Sequence, residues 1–152
     1  MAVKSGTEFE AFVASVEPSL RRALGGHLPA ALVPDALAEA FAYAWQHWSR
    51  LRAMHNPTGY LFRVAQSKAR TKRAGLTPAT AAEELPDVEP RLLDAMRSLS
   101  PQQRSAVWLV HGCGWTTNEA AEAMGISASA VGTHLQRGMA RLRDRMGAHD
   151  DG

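Results

Sequence analysis

The sequence predicts an all-α protein of two small helical domains joined by a linker, the C-terminal one a helix-turn-helix. Three observations carry that expectation. Apolar residues recur at intervals of three, four or seven in segment after segment, the period of a helix with one buried face. Helix start signals punctuate the chain, with Thr116 followed three residues later by Glu119 and Ser100 by Gln103, each a capping box. No segment reads as a convincing strand, and no internal repeat is visible. The expected boundaries are 7–75 for the first domain, 76–90 for the linker and 91–146 for the second domain.

Phe9, Phe12, Val13, Val16 and Leu20 mark a first amphipathic helix. Pro18 inside that pattern is expected to kink or break it, because its ring displaces a backbone hydrogen bond. Gly25-Gly26 and Pro29 interrupt the chain, and Pro34-Asp35 restarts it, with Asp35 at the positive helix end. Leu37, Phe41, Trp45 and Trp48 then form an apolar stripe among five alanines that permit another backbone close by. Phe41 and Trp45 are expected to be largely core. Asn56-Pro57-Thr58-Gly59 is turn chemistry. Tyr60, Leu61, Val64 and Ala65 open a third main helix that runs out through Lys68, Arg70, Lys72 and Arg73.

Residues 75–90 hold three prolines and four acids but few large apolar groups, the composition of a linker. Leu92, Leu93, Met96 and Leu99 follow as a short helix. Ser100-Pro101 starts another, with proline at the first helical position, continued by Val107, Leu109 and Val110 to Gly112. From Thr116 to Arg145 the pattern is two helices and a tight turn. Ala120, Ala121 and Met124 give the first an apolar side, and Gly125 is placed to end it in a left-handed conformation. Ile126 fills the space between the helices and Ser127 caps the second. Val131, Leu135, Met139, Leu142 and Met146 make the inward stripe of the second helix. Its other side offers Ser129, Thr133, Gln136, Arg137 and Arg143, side chains that fit a major groove.

The chain has 152 residues, 45% hydrophobic and 21% charged, enough for one domain or two very small ones with packed cores. Its net charge is only +2, but unevenly spread. Residues 50–75 carry seven cations and no acid, residues 131–146 sum to +3, and an acidic stretch separates them. Two basic segments divided by an acidic one point to two contacts with a polyanion. Cys113 is the lone cysteine, which favours a reducing compartment. With no signal-peptide core and no apolar run of membrane-spanning length, the expectation is a soluble cytoplasmic protein without a membrane partner.

Taken together, these residues resemble a small two-domain sigma factor of the extracytoplasmic-function type, in the sigma-70 family of bacterial RNA polymerase subunits. Asp35, Glu39, Phe41 and Trp45 fit the family's D-x-x-x-E-x-F-x-x-x-W pattern. That resemblance implies a region 2 at residues 7–75 whose helix docks on the clamp of the polymerase's largest subunit. Ala38 stands where the family usually has glutamine. The run from Asn56 to Ala65 resembles the segment that melts and reads the −10 promoter element. Tyr60 stands where tryptophan is commonest, and Ser67 and Thr71 where asparagine and aspartate are common. His55, Asn56, Arg63, Lys68, Arg70, Lys72 and Arg73 supply polar and cationic groups for an opened strand, and Tyr60 and Phe62 are the aromatic candidates, with core packing the competing account of both rings.

Residues 91–146 resemble region 4, which in the family enters the −35 major groove and rests on the flap of the second-largest subunit. Trp115 to Gly125 resembles Y-S-x-x-E-I-A-x-x-L-G, and Ser129 to Arg143 resembles the reading helix. Gly132 and His134 replace its usual lysine and arginine. Candidate −35 contacts are Thr117, Ser127, Ser129, Thr133, Gln136 and Arg137, with Arg141 and Arg143 nearer the phosphates. The resemblance implies RNA polymerase core and promoter DNA as partners and leaves room for an anti-sigma protein.

No catalytic constellation emerges. His111 and Cys113 are too few for a structural zinc site, and there is no phosphate-binding glycine loop or H-E-x-x-H. The chain is expected to be no enzyme, with no metal or cofactor. Two other readings compete with the sigma subunit. One is a free-standing helix-turn-helix regulator, disfavoured because no dimerisation helix is evident. The other is a sigma-like polymerase-binding protein without promoter activity, supported by the departures at Ala38, Ser67, Thr71, Gly132 and His134.

Overall fold

The computed structural model describes residues 2–73 and 90–147. Every regular element among them is helical. The chain divides into two compact units, one up to Glu84 and one from Leu85. The expected linker, apart from Pro90, lies outside the described residues, as do the side chains of Lys72 and Arg73.

Unit 1 contains α1 (Ala2–Gly25), α2 (Val33–Gln46), the one-turn α3 (Trp48–Leu51) and α4 (Pro57–Arg73). A turn of 3-10 helix, Ala30–Leu32, leads into α2. Pro18 does not end α1: the helix runs through it to Gly25. Proline at 18 removes a single backbone bond, to the carbonyl of Ala14, and both residues are exposed, where water can take that carbonyl. Beyond Pro18, Leu20, Ala23 and Leu24 are wholly buried, and their packing holds the last turns helical.

The core of unit 1 draws on all four helices, and its largest wholly buried side chains are Leu20 and Leu24 of α1, Leu51 of α3 and Leu61 and Phe62 of α4, all essentially inaccessible. Each such side chain contributes about 1.5–3 kcal/mol relative to exposure. Of the five alanines of α2, Ala36, Ala40 and Ala44 are buried and Ala38 and Ala42 exposed. The four-residue spacing puts the three small side chains on one face, where α4 approaches with Ala65 and Ala69. Asn56-Pro57-Thr58-Gly59 is not a free-standing turn. The Asn56 side-chain oxygen accepts the Gly59 N–H at 3.2 Å, so this residue starts α4.

Unit 2 contains α5 (Pro90–Arg97), α6 (Pro101–Val107), α7 (Thr117–Met124) and α8 (Ala128–Gly147). Ser100 and Gln103 form the expected capping box at the start of α6. The Arg104 guanidinium donates to the carbonyls of Met96, Arg97 and Leu99. A cation thereby supports the carbonyls at and just beyond the end of α5, where the Met96 carbonyl also accepts the Leu99 N–H at 3.1 Å, and it opposes the negative end of the helix dipole. The α6 helix does not continue unchanged to Gly112. Trp108–Gly112 widens into a π turn, in which the Cys113 N–H reaches the Trp108 carbonyl at 2.9 Å. Ala95, Leu99, Val107 and Leu142 form one core cluster, with Leu92, Met96, Leu135, Met139 and Met146 packed on it. Gly138 of α8 lies where α6 crosses: a Cβ there would meet Val107 Cγ2 at 2.9 Å.

Candidate nucleic-acid interface

In unit 2 the helix-turn-helix is built from local signals that the sequence states. The Thr116 hydroxyl accepts the Glu119 N–H at 3.1 Å, and the Glu119 carboxylate accepts the Thr116 N–H at 3.0 Å. Gly125 has φ 68°, a conformation that side-chained residues resist, and ends α7. The Ile126 N–H then returns to the Ala121 carbonyl at 3.1 Å. The Ser127 hydroxyl accepts the Ala130 N–H at 3.0 Å and starts α8. Ala120, Ala121 and Ala123 are buried, so α7 lies close against Val131, which is wholly buried.

With Val131, Gly138 and Leu142 inward, helical spacing turns Ser129, Thr133, Gln136, Arg137 and Arg143 to the opposite side, and all five are exposed. Arg141, also exposed, stands at the edge of that arc. Two hydroxyls have prior commitments: Ser127 caps α8, and Thr133 donates to the Ser129 carbonyl at 3.2 Å. Their remaining lone pairs can still accept. Thr117 is half-buried in the first turn of α7, and His134 is half-buried on α8. Gly132 is exposed on that helix, with nothing within 4 Å of where a Cβ would stand.

In unit 1 the cations of α4 are at the surface: Arg63, Lys68 and Arg70 are exposed, as is His55 before the helix. The two aromatic candidates part ways. Phe62 is 1% exposed and packs edge-on against His27 with ring centroids 4.9 Å apart, so it belongs to the core and offers no face to a base. Tyr60 is half-buried, and its hydroxyl lies 2.8 Å from that of Tyr43. One terminal nitrogen of Arg50 donates to both, at 2.9 and 3.0 Å. The hydrogen bond from Tyr60 holds the Tyr43 hydroxyl below the ordinary phenol range, against burial and with help from the Arg50 and Lys68 charges. The same bond, together with burial, pushes Tyr60 above that range, against the pull of Arg50 and Arg63. Asn56 is half-buried, its oxygen committed to Gly59 and its amide nitrogen buried without a protein partner. Nothing in the sequence pattern singled out Tyr43 or Arg50, whose grouping with Tyr60 depends on the packing of α2 on α4.

Asp35 is exposed in the first turn of α2, and Glu39 and Phe41 are half-buried. Trp45 is not core: it is 51% exposed, the one large hydrophobic so exposed among the described residues. The stripe spacing that includes it drifts around the helix. Asp35, Glu39 and Trp45 end up away from buried Ala36, Leu37, Ala40 and Ala44. Trp45 leans on Phe9 at 5.0 Å, and Phe9 and Phe12 in turn pack on Trp48 at 5.2 and 5.0 Å. The result is an acidic and aromatic surface on α2 beside an aromatic cluster. No helix among the described residues is long and apolar enough to cross a membrane.

Residues 90–142 match the family described as Sigma-70, region 4. Over 99% of its length the chain is 32% identical to the RNA polymerase sigma-E factor of Streptomyces antibioticus, covering 91% of that protein. It is 30% identical to the RNA polymerase sigma-E factor of Streptomyces coelicolor, covering 94% of this chain and 88% of that one. The fold is similar to that of the sigma factor RpoE in its complex with the anti-sigma factor NepR from Bartonella quintana. There the TM-score is 0.69 and the identity 20%, over 92% of this chain and 97% of that one. It is also similar to CnrH in complex with the cytosolic domain of CnrY, with a TM-score of 0.66 and 24% identity over 92% of this chain and 88% of that one. Near-complete coverage by sigma-E factors, and a region 4 match on the helix-turn-helix built above, lead to one conclusion: the chain belongs to the sigma-70 family of RNA polymerase sigma factors, in its extracytoplasmic-function type.

Proposed function

We propose that the chain is a promoter-recognition subunit that joins core RNA polymerase and directs transcription initiation, without catalysis of its own. The observation that carries this is the exposed polar and cationic arc of α8, fixed against α7 by two caps and a left-handed glycine. Such an arc is shaped to enter a major groove, with Arg137, Gln136, Thr133 and Ser129 toward base edges and Arg141 and Arg143 toward phosphates. Unit 1 would hold the opened −10 strand with His55, Asn56, Tyr60, Arg63, Lys68 and Arg70, continued along the sequence by Lys72 and Arg73. Asp35, Glu39, Phe41 and Trp45 would meet the polymerase clamp, and unit 2 its flap. Gly132 and His134 stand where the resemblance implies lysine and arginine, so α8 is the weaker cation source and the stronger charge lies at residues 50–75. Polymerase holding both units on one promoter raises the effective concentration of each contact.

These roles place the chain in the cytoplasm with the polymerase. An anti-sigma protein is a further proposed partner, because the structurally similar sigma factor RpoE was captured with the anti-sigma factor NepR. Reconstitution of the full chain with purified core polymerase and genomic promoter fragments tests the proposal. Specific run-off transcripts are expected. Core binding without transcripts would replace it with a polymerase-binding protein lacking promoter activity, and duplex binding indifferent to core would replace it with a free-standing regulator.

A further inference from the structure

The arginines of unit 1 differ in what holds them. Arg21 pairs with Glu17, and Arg52 with Glu8 at 3.2 Å. Both pairs are neutral as units. Arg50 is instead held by the two phenols of Tyr43 and Tyr60, and its guanidinium carbon lies 5.8 Å from the centre of the Tyr60 ring. Phenols fix the side chain without cancelling its charge. The bonds use one terminal nitrogen, so the N–H groups of Nε and Nη1 can still donate. Lys68 and Arg63, both exposed cations of α4, also act on the phenol pair, Lys68 on Tyr43 and Arg63 on Tyr60. A positioned, uncompensated arginine among cations is arranged for an anion from outside the chain.

We propose that Arg50, held by Tyr43 and Tyr60 and flanked by Arg63 and Lys68, seats a nucleic-acid backbone phosphate where α2, α3 and α4 meet. This rests on the reading of unit 1 as the holder of an opened strand, and it gives Tyr60 a positioning task through its hydroxyl in place of base stacking. The guanidinium is already oriented, so phosphate binding freezes fewer rotamers than it would for a free arginine. The bond formed is charge-assisted and carries no sequence information.

The test is fluorescence anisotropy of the full chain on a fluorescein-labelled oligothymidine across a salt series, with circular dichroism as the folding control. Arg50→Gln is expected to reduce the magnitude of the log–log salt slope by about 0.7, one single-strand phosphate's share. Tyr43→Phe keeps the charge and loosens its anchor, so the slope stays and affinity at fixed salt drops about threefold. Arg52→Gln, whose arginine is already paired with Glu8, is expected to leave the slope unchanged. An unchanged slope in Arg50→Gln overturns the proposal, as does an equal fall in Arg52→Gln, which would reduce the effect to net charge. No oligothymidine binding by the wild-type chain overturns it too. Normal oligothymidine binding with weakened core binding in Arg50→Gln would reassign the cluster to a protein contact. Run-off is scored separately: run-off with an unchanged slope rejects the phosphate seat alone, and a reduced slope without run-off rejects the promoter reading alone.

Discussion

Two glycines six residues apart on α8 should respond in opposite directions to the same substitution. Gly132 is exposed and a Cβ there meets nothing within 4 Å. Gly132→Ala removes backbone freedom from the unfolded chain and is expected to stabilise unit 2 by about 1 kcal/mol. Gly138 is buried at the crossing of α6, where a Cβ would stand 2.9 Å from Val107 Cγ2 and 3.4 Å from Gln103 Cβ. Val107 is 6% exposed and β-branched, so it has little freedom to turn aside. Gly138→Ala gains the same 1 kcal/mol of propensity and loses about 1–3 kcal/mol to overpacking. It should therefore end at or below wild type and about 1–3 kcal/mol below Gly132→Ala. For a unit of this size that gap is roughly 4 °C or more in Tm. Thermal and urea unfolding by circular dichroism measures it, and hydrogen exchange over residues 101–147 assigns it to unit 2. Equal stabilisation by both substitutions would refute the close crossing of α6 and α8.

Three further outcomes are expected. Trp45→Ala should weaken core polymerase binding about 30-fold in a titration while the far-UV spectrum is kept, the behaviour of an exposed aromatic hot spot. An unchanged Kd would remove Trp45 from the interface. Arg137→Ala should lower the salt slope of −35 binding by about one phosphate's share or relax one base preference, and an unchanged footprint and slope would exclude it as a contact. The chain has just two tyrosines, Tyr43 and Tyr60. Ultraviolet titration should therefore show two separate phenol steps, one below and one above the ordinary value near 10. The lower step belongs chiefly to Tyr43, so Tyr43→Phe should remove it. A single step with both tyrosines present would show that the hydroxyl pair does not persist in solution.

The sequence by itself determined the features whose physics is local. Helix periodicity, the capping boxes at Ser100 and Thr116, the left-handed Gly125 and the cap at Ser127 each involve residues within a few positions of one another, and the structure keeps them all. The outward arc of α8 was legible for the same reason, since a helix fixes which residues oppose a buried stripe. Features set by which helix lies against which were decided by tertiary structure alone. Pro18 stays within α1 because Leu20, Ala23 and Leu24 are buried beyond it. Phe62 belongs to the core and Trp45 to the surface although both sit in apolar runs, because a run of apolar residues covers more of the helix surface than its neighbours cover. The joining of Tyr43, Arg50 and Tyr60, 17 residues apart at its widest, exists only once α2 packs on α4. Sequence spacing sets angles around one helix axis, and the placement of that axis against its neighbours follows from the burial of all of them at once.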